Sequence, residues 1–306
     1  MIKIATLVGC AIGDALGNAF EMKLANYAPL QEWDGMFKEG GTFWWGQPGQ
    51  YTDDTLMSMA LATSLLEHQG FNPEDVGLKY LAWMESGNTR GIGGTTAAAL
   101  TNLKLGSTYK TSGLTHNDGK PAAGNGTAMR ASPIGLWYRN NIPKLLEVAV
   151  TDAAITHNSL EPKMGSVAVA LGTAFLANGS HDPMTVLLEV KDIVTESIVQ
   201  DKLELAVSHL KNETDVHVAL AEIGSRGYVP ETVGAAFYCL AATDNFRDAV
   251  VLAIKAGGDT DTTAAIVGAM AGSFYGLDAI PSEYKDNVEN FQLLQALTDE
   301  LANNES

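Results

Sequence analysis

Two short clusters of aspartate and threonine contain the residue types that bind a hard metal ion. One is Thr52-Asp53-Asp54-Thr55, and the other, about two hundred residues later, is Asp259-Thr260-Asp261-Thr262. Carboxylate and hydroxyl oxygens suit the tight octahedral shell of Mg²⁺. Each cluster stands directly before an apolar segment with helical spacing, so both could present oxygens from the start of a helix. We interpret the clusters as two halves of one metal site.

Helix capping is the alternative explanation for both clusters. A Thr or Asp at the N-cap with acids in the first turn is an ordinary helix start. A capped helix needs one such residue, whereas the two clusters contain four aspartates and four threonines. Adjacent carboxylates repel each other, and a bound cation would remove that repulsion. The composition of the clusters therefore favours metal binding.

The overall composition indicates a globular protein with an acidic surface. The chain has 306 residues, of which 46% are hydrophobic, and we expect a single domain over residues 1–306. Acidic residues outnumber basic ones 36 to 19, which gives a formal charge of −17. Lys and Arg do not cluster, so nucleic acid is not an expected partner. A polyanionic substrate would need backbone N–H groups or bound cations to offset this charge.

Cysteine usage and hydropathy indicate the compartment. Cys10 and Cys239 are the only cysteines, too few for a disulfide framework, so a reducing, cytoplasmic location is expected. The longest apolar stretch, 264–277, is shorter than the roughly 20 residues that a membrane-spanning helix needs. No membrane association is expected.

The hydrophobic pattern predicts an all-α fold. Apolar residues recur at helical spacing, no run alternates with period two, and the linkers are short. Residues 22–51 lack periodicity and are predicted as a long loop of the kind that often forms a functional lid. The helices are predicted over 2–20, 52–70, 73–85, 97–100, 134–138, 143–155, 162–178, 183–200, 203–211, 216–223, 231–242, 246–256 and 260–275.

Glycines at four-residue spacing predict close packing of two helices. Gly9, Gly13 and Gly17 share one face of the first helix, and Gly268, Gly272 and Gly276 repeat the spacing in the helix after Asp259. Glycine costs a helix about 1 kcal/mol relative to alanine, so each set needs a compensating contact. We expect the two helices to pack together in the centre and the first one to bring Asp14 and Glu21 near the metal cluster.

Two glycine-rich loops are candidates for phosphate binding. They comprise residues 87–96 and 124–130, and each opens onto a helix whose first N–H groups are free to bind an anion. The first matches neither a Walker A loop nor a dinucleotide fingerprint, because no strand precedes it and it lacks the lysine. Either loop alone is more often only a tight connection. His157, which follows a predicted helix, could be a site residue or a C-terminal cap.

These motifs together resemble the ADP-ribosylglycohydrolase family over nearly the whole chain. The resemblance is carried by separate motifs in the same order: Gly9 with Gly13-Asp14-Ala15-Leu16-Gly17 and Glu21, then Gly49-Gln50-Tyr51-Thr52-Asp53-Asp54-Thr55, Gly124-Asn125-Gly126 with Met129-Arg130, Thr156-His157, Gly227-Tyr228-Val229-Pro230-Glu231-Thr232 and Gly257-Gly258-Asp259-Thr260-Asp261-Thr262.

The resemblance implies a single large orthogonal helical domain with two Mg²⁺ ions, replaceable by Mn²⁺, in a central cleft. It assigns the metal ligands to Thr52, Asp53, Asp54, Asp259, Asp261 and Thr262. It assigns the diphosphate and distal ribose to loops containing Gly91, Gly93, Thr95, Gly124, Asn125 and Gly126. It also implies that His157 is a site histidine, that Tyr228 lies near the adenine and that Glu21 lies over the cleft. Segments 22–48 and 106–123 match no motif.

The implied activity is metal-dependent hydrolysis of the glycosidic bond between ADP-ribose and an acceptor. In this hypothesis Asp53 or Asp54 orients or deprotonates the attacking water, and Glu21 governs access or assists proton transfer. The substrate would be an ADP-ribosylated protein or a small ADP-ribose conjugate, and a monomer is expected. The resemblance includes a bacterial glycohydrolase that acts on arginine, so arginine is the expected acceptor, and the acidic surface adds attraction for a guanidinium.

Several alternatives to arginine hydrolysis remain at this stage. They are an ADP-ribosyl-serine or O-acetyl-ADP-ribose hydrolase, a two-metal phosphohydrolase, and a non-catalytic member of the crystallin type.

Overall fold

The computed structural model describes residues 3–114, 116–117, 120–179 and 181–304, and the regular secondary structure of these residues is almost entirely helical. This confirms the predicted all-α class. The helices are α1 Thr6–Gly17, α2 Ala28–Gln31, α3 Asp53–His68, α4 Pro73–Glu85, α5 Gly94–Lys104, α6 Ser132–Trp137, α7 Ile142–Thr156, α8 Leu160–Ala177, α9 Pro183–Ile193, α10 Ile198–Lys211, α11 Val216–Ile223, α12 Val229–Ala241, α13 Phe246–Lys255, α14 Thr260–Tyr275, α15 Ser282–Lys285 and α16 Phe291–Ala302.

Sequence periodicity located most helices but extended one of them across a break in the chain. The predicted helix over 183–200 is wrong, because α9 ends at Ile193 and α10 begins at Ile198. Between them Glu196 has a φ of 58°. The Ser197 side chain caps α10 by accepting a hydrogen bond from the backbone N–H of Gln200. An N-cap serine starts a new helix although the apolar pattern continues through it.

Helices α1 and α14 form the centre of the fold. Every residue of α1 is buried, and α14 is buried from Thr260 to Ser273, as expected for helices that are covered on all sides. A Cβ atom added to Gly9 would lie 2.0 Å from the carbonyl oxygen of Gly268, and one on Gly13 would lie 1.9 Å from that of Ala264. The backbones are therefore in direct contact, as the glycine spacing predicted. The pairing of Gly9 with Gly268 and Gly13 with Ala264 makes the two helices antiparallel.

The predicted role of Gly276 in this contact is wrong. Helix α14 ends at Tyr275, and Gly276 follows it with a φ of 77°, so it terminates the helix.

Helix α16, which was not predicted, covers the N-terminal end of α1. The Thr298 hydroxyl accepts a hydrogen bond from the backbone N–H of Leu7 at 3.2 Å, and this pairs one of the free N–H groups in the first turn of α1.

Substitution of Gly13 by alanine is expected to destabilise the protein by about 3 kcal/mol, because the new methyl group overlaps backbone atoms that cannot move alone. Gly77→Ala is the matched control. Its Cβ atom would meet only Leu103 at 3.5 Å and Ile155 at 3.8 Å, so it should stabilise α4 by up to about 1 kcal/mol. Urea unfolding of both variants measures the difference. Equal effects from the two substitutions would contradict the central packing.

The two segments without a sequence motif have little regular structure. Segment 22–48 contains α2 and a hairpin-like loop closed by a backbone pair between Gly40 and Gly46. Segment 106–123 contains one antiparallel ladder, β1 His116–Asn117 with β2 Lys120–Pro121, and its residues 115, 118 and 119 lie outside the described part. Across the described ranges no helix has the length and hydropathy needed to cross a membrane.

Candidate active site

The antiparallel packing of α1 and α14 brings distant parts of the sequence together. The C-terminal end of α1 lies beside the N-terminal end of α14, and a Cβ atom on Gly17 would lie 2.5 Å from the Cα atom of Asp261. The Thr260 hydroxyl donates to the carbonyl oxygen of Gly17 at 2.8 Å. Glu21, which follows α1, therefore lies beside the second aspartate cluster, as predicted.

Asp14 connects α1 to the first cluster. Its buried carboxylate accepts hydrogen bonds from the backbone N–H groups of Thr52 and Thr55 at 2.9 and 3.1 Å. It also accepts from the hydroxyls of the same two threonines at 2.8 and 2.6 Å. Asp14, which belongs to α1, thereby accepts hydrogen bonds from N–H groups that would otherwise be free at the start of α3. It fixes the position of Asp53 and Asp54.

The capping explanation does not account for the clusters. Thr52 and Asp259 occupy the N-cap positions of α3 and α14, yet neither side chain forms a capping hydrogen bond. The Thr52 hydroxyl instead donates to Asp14. The amide of Asn125 donates to Asp259 at 2.9 Å and to the Thr232 hydroxyl at 3.0 Å. The side chains of Thr52 and Asp259 are therefore bonded to residues of other elements and not to the first N–H groups of their own helices.

The carboxylates form two overlapping groups that could hold a metal ion. Asp14, Asp54 and Asp261 each place one oxygen within 4.8 Å of the others, and so do Glu21, Asp259 and Asp261. Asp261 belongs to both groups. The two halves read from the sequence are thus parts of one acidic cluster.

Burial strongly affects the titration of this cluster. Desolvation, followed by the charge of neighbouring carboxylates, raises the pKa values of Asp53, Asp54 and Asp261 well above their usual range. Desolvation also raises the pKa of Asp14 to about 6 and that of Glu21 to about 7, where the charge of Asp259 adds to the effect. The cluster therefore cannot be fully ionised at neutral pH without a compensating positive charge.

The side chains present fit a divalent cation. None of the five carboxylates whose pKa is raised forms an ion pair with a Lys or Arg side chain in the described part of the chain. The Oδ1 atom of Asp54 is buried and has no hydrogen-bond partner among the described residues. A buried carboxylate oxygen without a donor is costly, and a metal ion would satisfy it.

The carboxylates of the acidic cluster, apart from the fully buried Asp14, line a cleft of about 270 Å³. Most of the predicted site residues line it, but Thr52 and Tyr228 do not. Thr52 is buried below the cluster, and Tyr228 pairs its backbone with Gly124. The lining residues are Glu21, Met22, Phe43, Asp53, Asp54, Gly91, Ile92, Gly93, Gly94, Thr95, Thr96, Gly124, Asn125, Gly126, Met129, His157, Gly227, Asp259, Asp261 and Thr262.

The first glycine loop brings the start of α5 to the cleft. Gly93 is the N-cap residue of α5, and Cβ atoms added to Gly93 or Gly94 would meet nothing within 4 Å. Gly93, Gly94, Thr95 and Thr96 line the cleft, and the first N–H groups of a helix have no partner within it, which suits an anion. Gly91 has a φ of 74°, and a Cβ atom there would lie 2.8 Å from Oδ1 of Asp53. Glycine at this position leaves room for that carboxylate.

The second glycine loop packs against His157. A Cβ atom on Gly126 would lie 3.0 Å from Cε1 of His157, and one on Gly124 would lie 3.3 Å from Nε2. His157 is 3% exposed. Burial, with a contribution from the positive charge of Arg130, lowers its pKa to about 3. The imidazole is therefore neutral, and it does not act as a charged cap for α7.

Several cleft residues were not identified from the sequence. Met22 and Phe43 come from the predicted lid loop, and Phe43 is 65% exposed. The Thr42 hydroxyl donates to the backbone carbonyl oxygen of Glu21. A lone aromatic residue in an aperiodic loop carries no sequence signal for a site. Gly227 was noted only as part of a motif, and a Cβ atom there would lie 2.9 Å from Oδ2 of Asp259.

Comparisons with known proteins agree with this geometry. The family model for ADP-ribosylglycohydrolase matches residues 4–306. The chain is 28% identical to an ADP-ribosylarginine hydrolase Tri1 of Serratia proteamaculans, over 96% of this chain and 77% of that one. It is 28% identical to the ADP-ribosyl-[dinitrogen reductase] glycohydrolase of Rhodospirillum rubrum, over 94% and 90% of the two chains.

A relative from an animal and a solved structure extend the match. The chain is 26% identical to ADP-ribosylhydrolase ARH3 of Homo sapiens, over 96% of this chain and 91% of that one. A solved ADP-ribosylglycohydrolase-related protein complex superposes with a TM-score of 0.75 at 29% identity, and covers 99% of this chain and 97% of that one. The family and these relatives support ADP-ribose glycohydrolase activity. The chain belongs to the ADP-ribosylglycohydrolase family.

Proposed function

We propose that this protein hydrolyses the glycosidic bond between ADP-ribose and an acceptor in a Mg²⁺-dependent reaction, with arginine as the acceptor. One observation carries the proposal: a single cleft joins a buried acidic cluster to the free N–H groups at the start of α5. ADP-ribose has a matching arrangement, because its diphosphate is attached to the ribose that carries the glycosidic bond. The acidic cluster would bind that ribose through metal ions, and the N–H groups would bind the diphosphate. The proposal extends to one domain over residues 1–306 that acts as a monomer.

The acidic cluster would hold two Mg²⁺ ions, and Mn²⁺ would substitute. We assign the ligands to the predicted set Thr52, Asp53, Asp54, Asp259, Asp261 and Thr262. Divalent cations supply Lewis acidity and lower the pKa of a nearby water molecule. Asp14 differs from this set because its two oxygens already accept hydrogen bonds from Thr52 and Thr55. Its role is to position α3.

The chain's own residues can hold the substrate and assist the reaction. Asp53 and Asp54 lie at the start of α3 and line the cleft, which places either one to accept a proton from the attacking water. Glu21 lines the same cleft, and its backbone carbonyl oxygen accepts a hydrogen bond from the Thr42 hydroxyl of the lid loop. It can therefore control access to the ribose side. The loops at Gly93 and Gly126 would receive the diphosphate.

Two features favour arginine over serine as the acceptor. The net charge of −17 attracts a cationic guanidinium more than a neutral hydroxyl. The exposed ring of Phe43 lies in the cleft together with Glu21, and an aromatic face attracts a guanidinium. The relatives do not decide the acceptor, since the Tri1 and ARH3 proteins are 28% and 26% identical to this chain.

A competition experiment tests the acceptor. Peptides with arginine-linked and serine-linked ADP-ribose at equal concentrations should show faster release from arginine. That preference should weaken as salt rises from about 0.05 to 0.5 M, because screening shortens the range of the acidic field. Faster release from serine at every salt concentration would reject arginine and leave the metal site unaffected.

A matched pair of variants measures how much the Phe43 ring contributes to the preference for the arginine linkage. Phe43→Leu should reduce the rate on the arginine linkage by roughly 2- to 5-fold and leave the serine linkage unchanged, since a cation–π contact contributes about 0.5–1 kcal/mol. Trp45→Leu is the control, because Trp45 is also 65% exposed but does not line the cleft. Equal losses on both linkages would show that Phe43 does not distinguish acceptors.

A further inference from the structure

A buried chain of polar residues runs from the interior to His157. The fully buried Arg130 donates from Nε to the Asp152 carboxylate at 3.0 Å, and Tyr80 donates to the same carboxylate at 2.8 Å. Arg130 also donates from Nη1 to the Thr156 hydroxyl oxygen at 2.9 Å. That oxygen lies 2.9 Å from Nδ1 of His157. The chain therefore connects a buried ion pair to the imidazole at the cleft.

The donors and acceptors in this chain determine which nitrogen of His157 carries the proton. Arg130 can only donate, so the Thr156 oxygen accepts from it. Within the described ranges, Thr156 Oγ1 forms hydrogen bonds with Arg130 and His157 alone. If Nδ1 also donated to this oxygen, the buried hydroxyl proton would have no acceptor, at a cost of about 1–3 kcal/mol. The hydroxyl must therefore donate to Nδ1.

We infer that Thr156 and Arg130 hold His157 as the neutral tautomer with its proton on Nε2, so that the imidazole is a fixed hydrogen-bond donor toward the cleft. Nε2 has no hydrogen-bond partner among the described residues, and it lies against the loop that contains Gly124. The acceptor would be an oxygen of a ligand seated on that loop. Thr156 and Arg130 are positioning residues, because they act on the ligand only through His157.

Arg130 also sets the distance between the loop and the imidazole. Its Nη1 atom donates to the carbonyl oxygen of Gly126 at 2.7 Å, as well as to Thr156. One guanidinium thus holds both the glycine loop and the residue that orients the ring. The nearby positive charge also opposes protonation of the imidazole. A donor that stays neutral can bind an oxygen without taking part in proton transfer.

The first experiment measures the tautomer directly in the ligand-free protein. Long-range ¹H–¹⁵N correlation spectra of the ¹⁵N-labelled chain distinguish a protonated ring nitrogen from an unprotonated one. The chain has 6 histidines, and His157→Gln identifies the signals of His157. We expect a protonated Nε2 and an unprotonated Nδ1, unchanged from pH 8 to pH 5. A proton on Nδ1 at pH 7, as the other tautomer or as imidazolium, would overturn the inference.

The second experiment tests the positioning role of Thr156. Thr156→Val keeps the side-chain shape and removes the hydroxyl, so the Nδ1 signal should shift, whereas Thr156→Ser should keep the wild-type signal. Spectra of Thr156→Val identical to those of the wild-type protein would show that Thr156 does not orient the ring.

The third experiment uses ADP-ribose as the probe and rests on the proposed function. His157→Leu should weaken ADP-ribose binding roughly tenfold, whereas His157→Gln, which retains a side-chain N–H donor, should stay closer to wild type. Equal binding by both variants would overturn the donor role. If the wild-type protein binds no ADP-ribose, the proposed function fails, and the spectra still decide the tautomer.

Discussion

Asp54→Asn is expected to abolish activity, and to be at least as stable as the wild-type protein without metal but less stable than it with Mg²⁺. In metal-free buffer the variant should melt at or above the wild-type temperature, because it removes one charge from a cluster in which burial and like charges raise the pKa of Asp54. With Mg²⁺ the wild-type protein should gain stability by mass action, and the variant should not. Turnover should fall by about a hundredfold or more, since even residues that only support a metal ligand contribute 10- to 100-fold.

The control for this result is Asp244→Asn, which makes the same chemical change at an exposed position. It should leave both the turnover and the Mg²⁺-dependent shift in melting temperature at wild-type values. Full turnover by Asp54→Asn in the presence of a chelator would contradict the metal site. Loss of stability by Asp54→Asn in metal-free buffer would instead indicate that this carboxylate serves only to hold the fold.

Asp152→Ala is expected to lower the free energy of unfolding by about 3–5 kcal/mol. Arg130 and Asp152 are both fully buried, and the substitution leaves the Arg130 charge and the Tyr80 hydroxyl without their acceptor. Urea unfolding measures the loss. Glu85→Ala is the control, because its ion pair with Lys104 is exposed and should contribute less than about 1 kcal/mol. A loss below about 1 kcal/mol for Asp152→Ala would contradict the importance of this buried pair.

The sequence predicted the parts of the site that depend on residue type and periodicity. Helical spacing and glycine repeats correctly predicted that α1 packs closely on α14 and that Glu21 lies beside the second cluster. These predictions succeeded because glycines that share one face of a helix allow the backbone of a second helix to approach closely. The aspartates at the starts of α3 and α14 were recognised by composition.

Features that depend on contacts across the fold could not be predicted. The hydrogen bonds from α3 to Asp14 and from Arg130 to Thr156 join residues that are far apart in sequence. Phe43 belongs to an aperiodic loop, so neither period nor charge indicated that it lines the cleft. Tyr228 was assigned to the adenine by resemblance alone, and although its backbone pairs with Gly124, Tyr228 does not line the cleft. The break between α9 and α10 depends on the cap formed by Ser197.

Product analysis tests the central claim most directly. The intact protein is incubated with an arginine-linked ADP-ribosyl peptide and Mg²⁺, with a parallel sample in chelator, and the released nucleotide is identified by mass spectrometry. Cleavage of the glycosidic bond predicts free ADP-ribose and an unmodified arginine in the Mg²⁺ sample and no release in chelator. Release of AMP with ribose phosphate left on the peptide would show that the cleft cleaves the diphosphate instead, and would contradict the account.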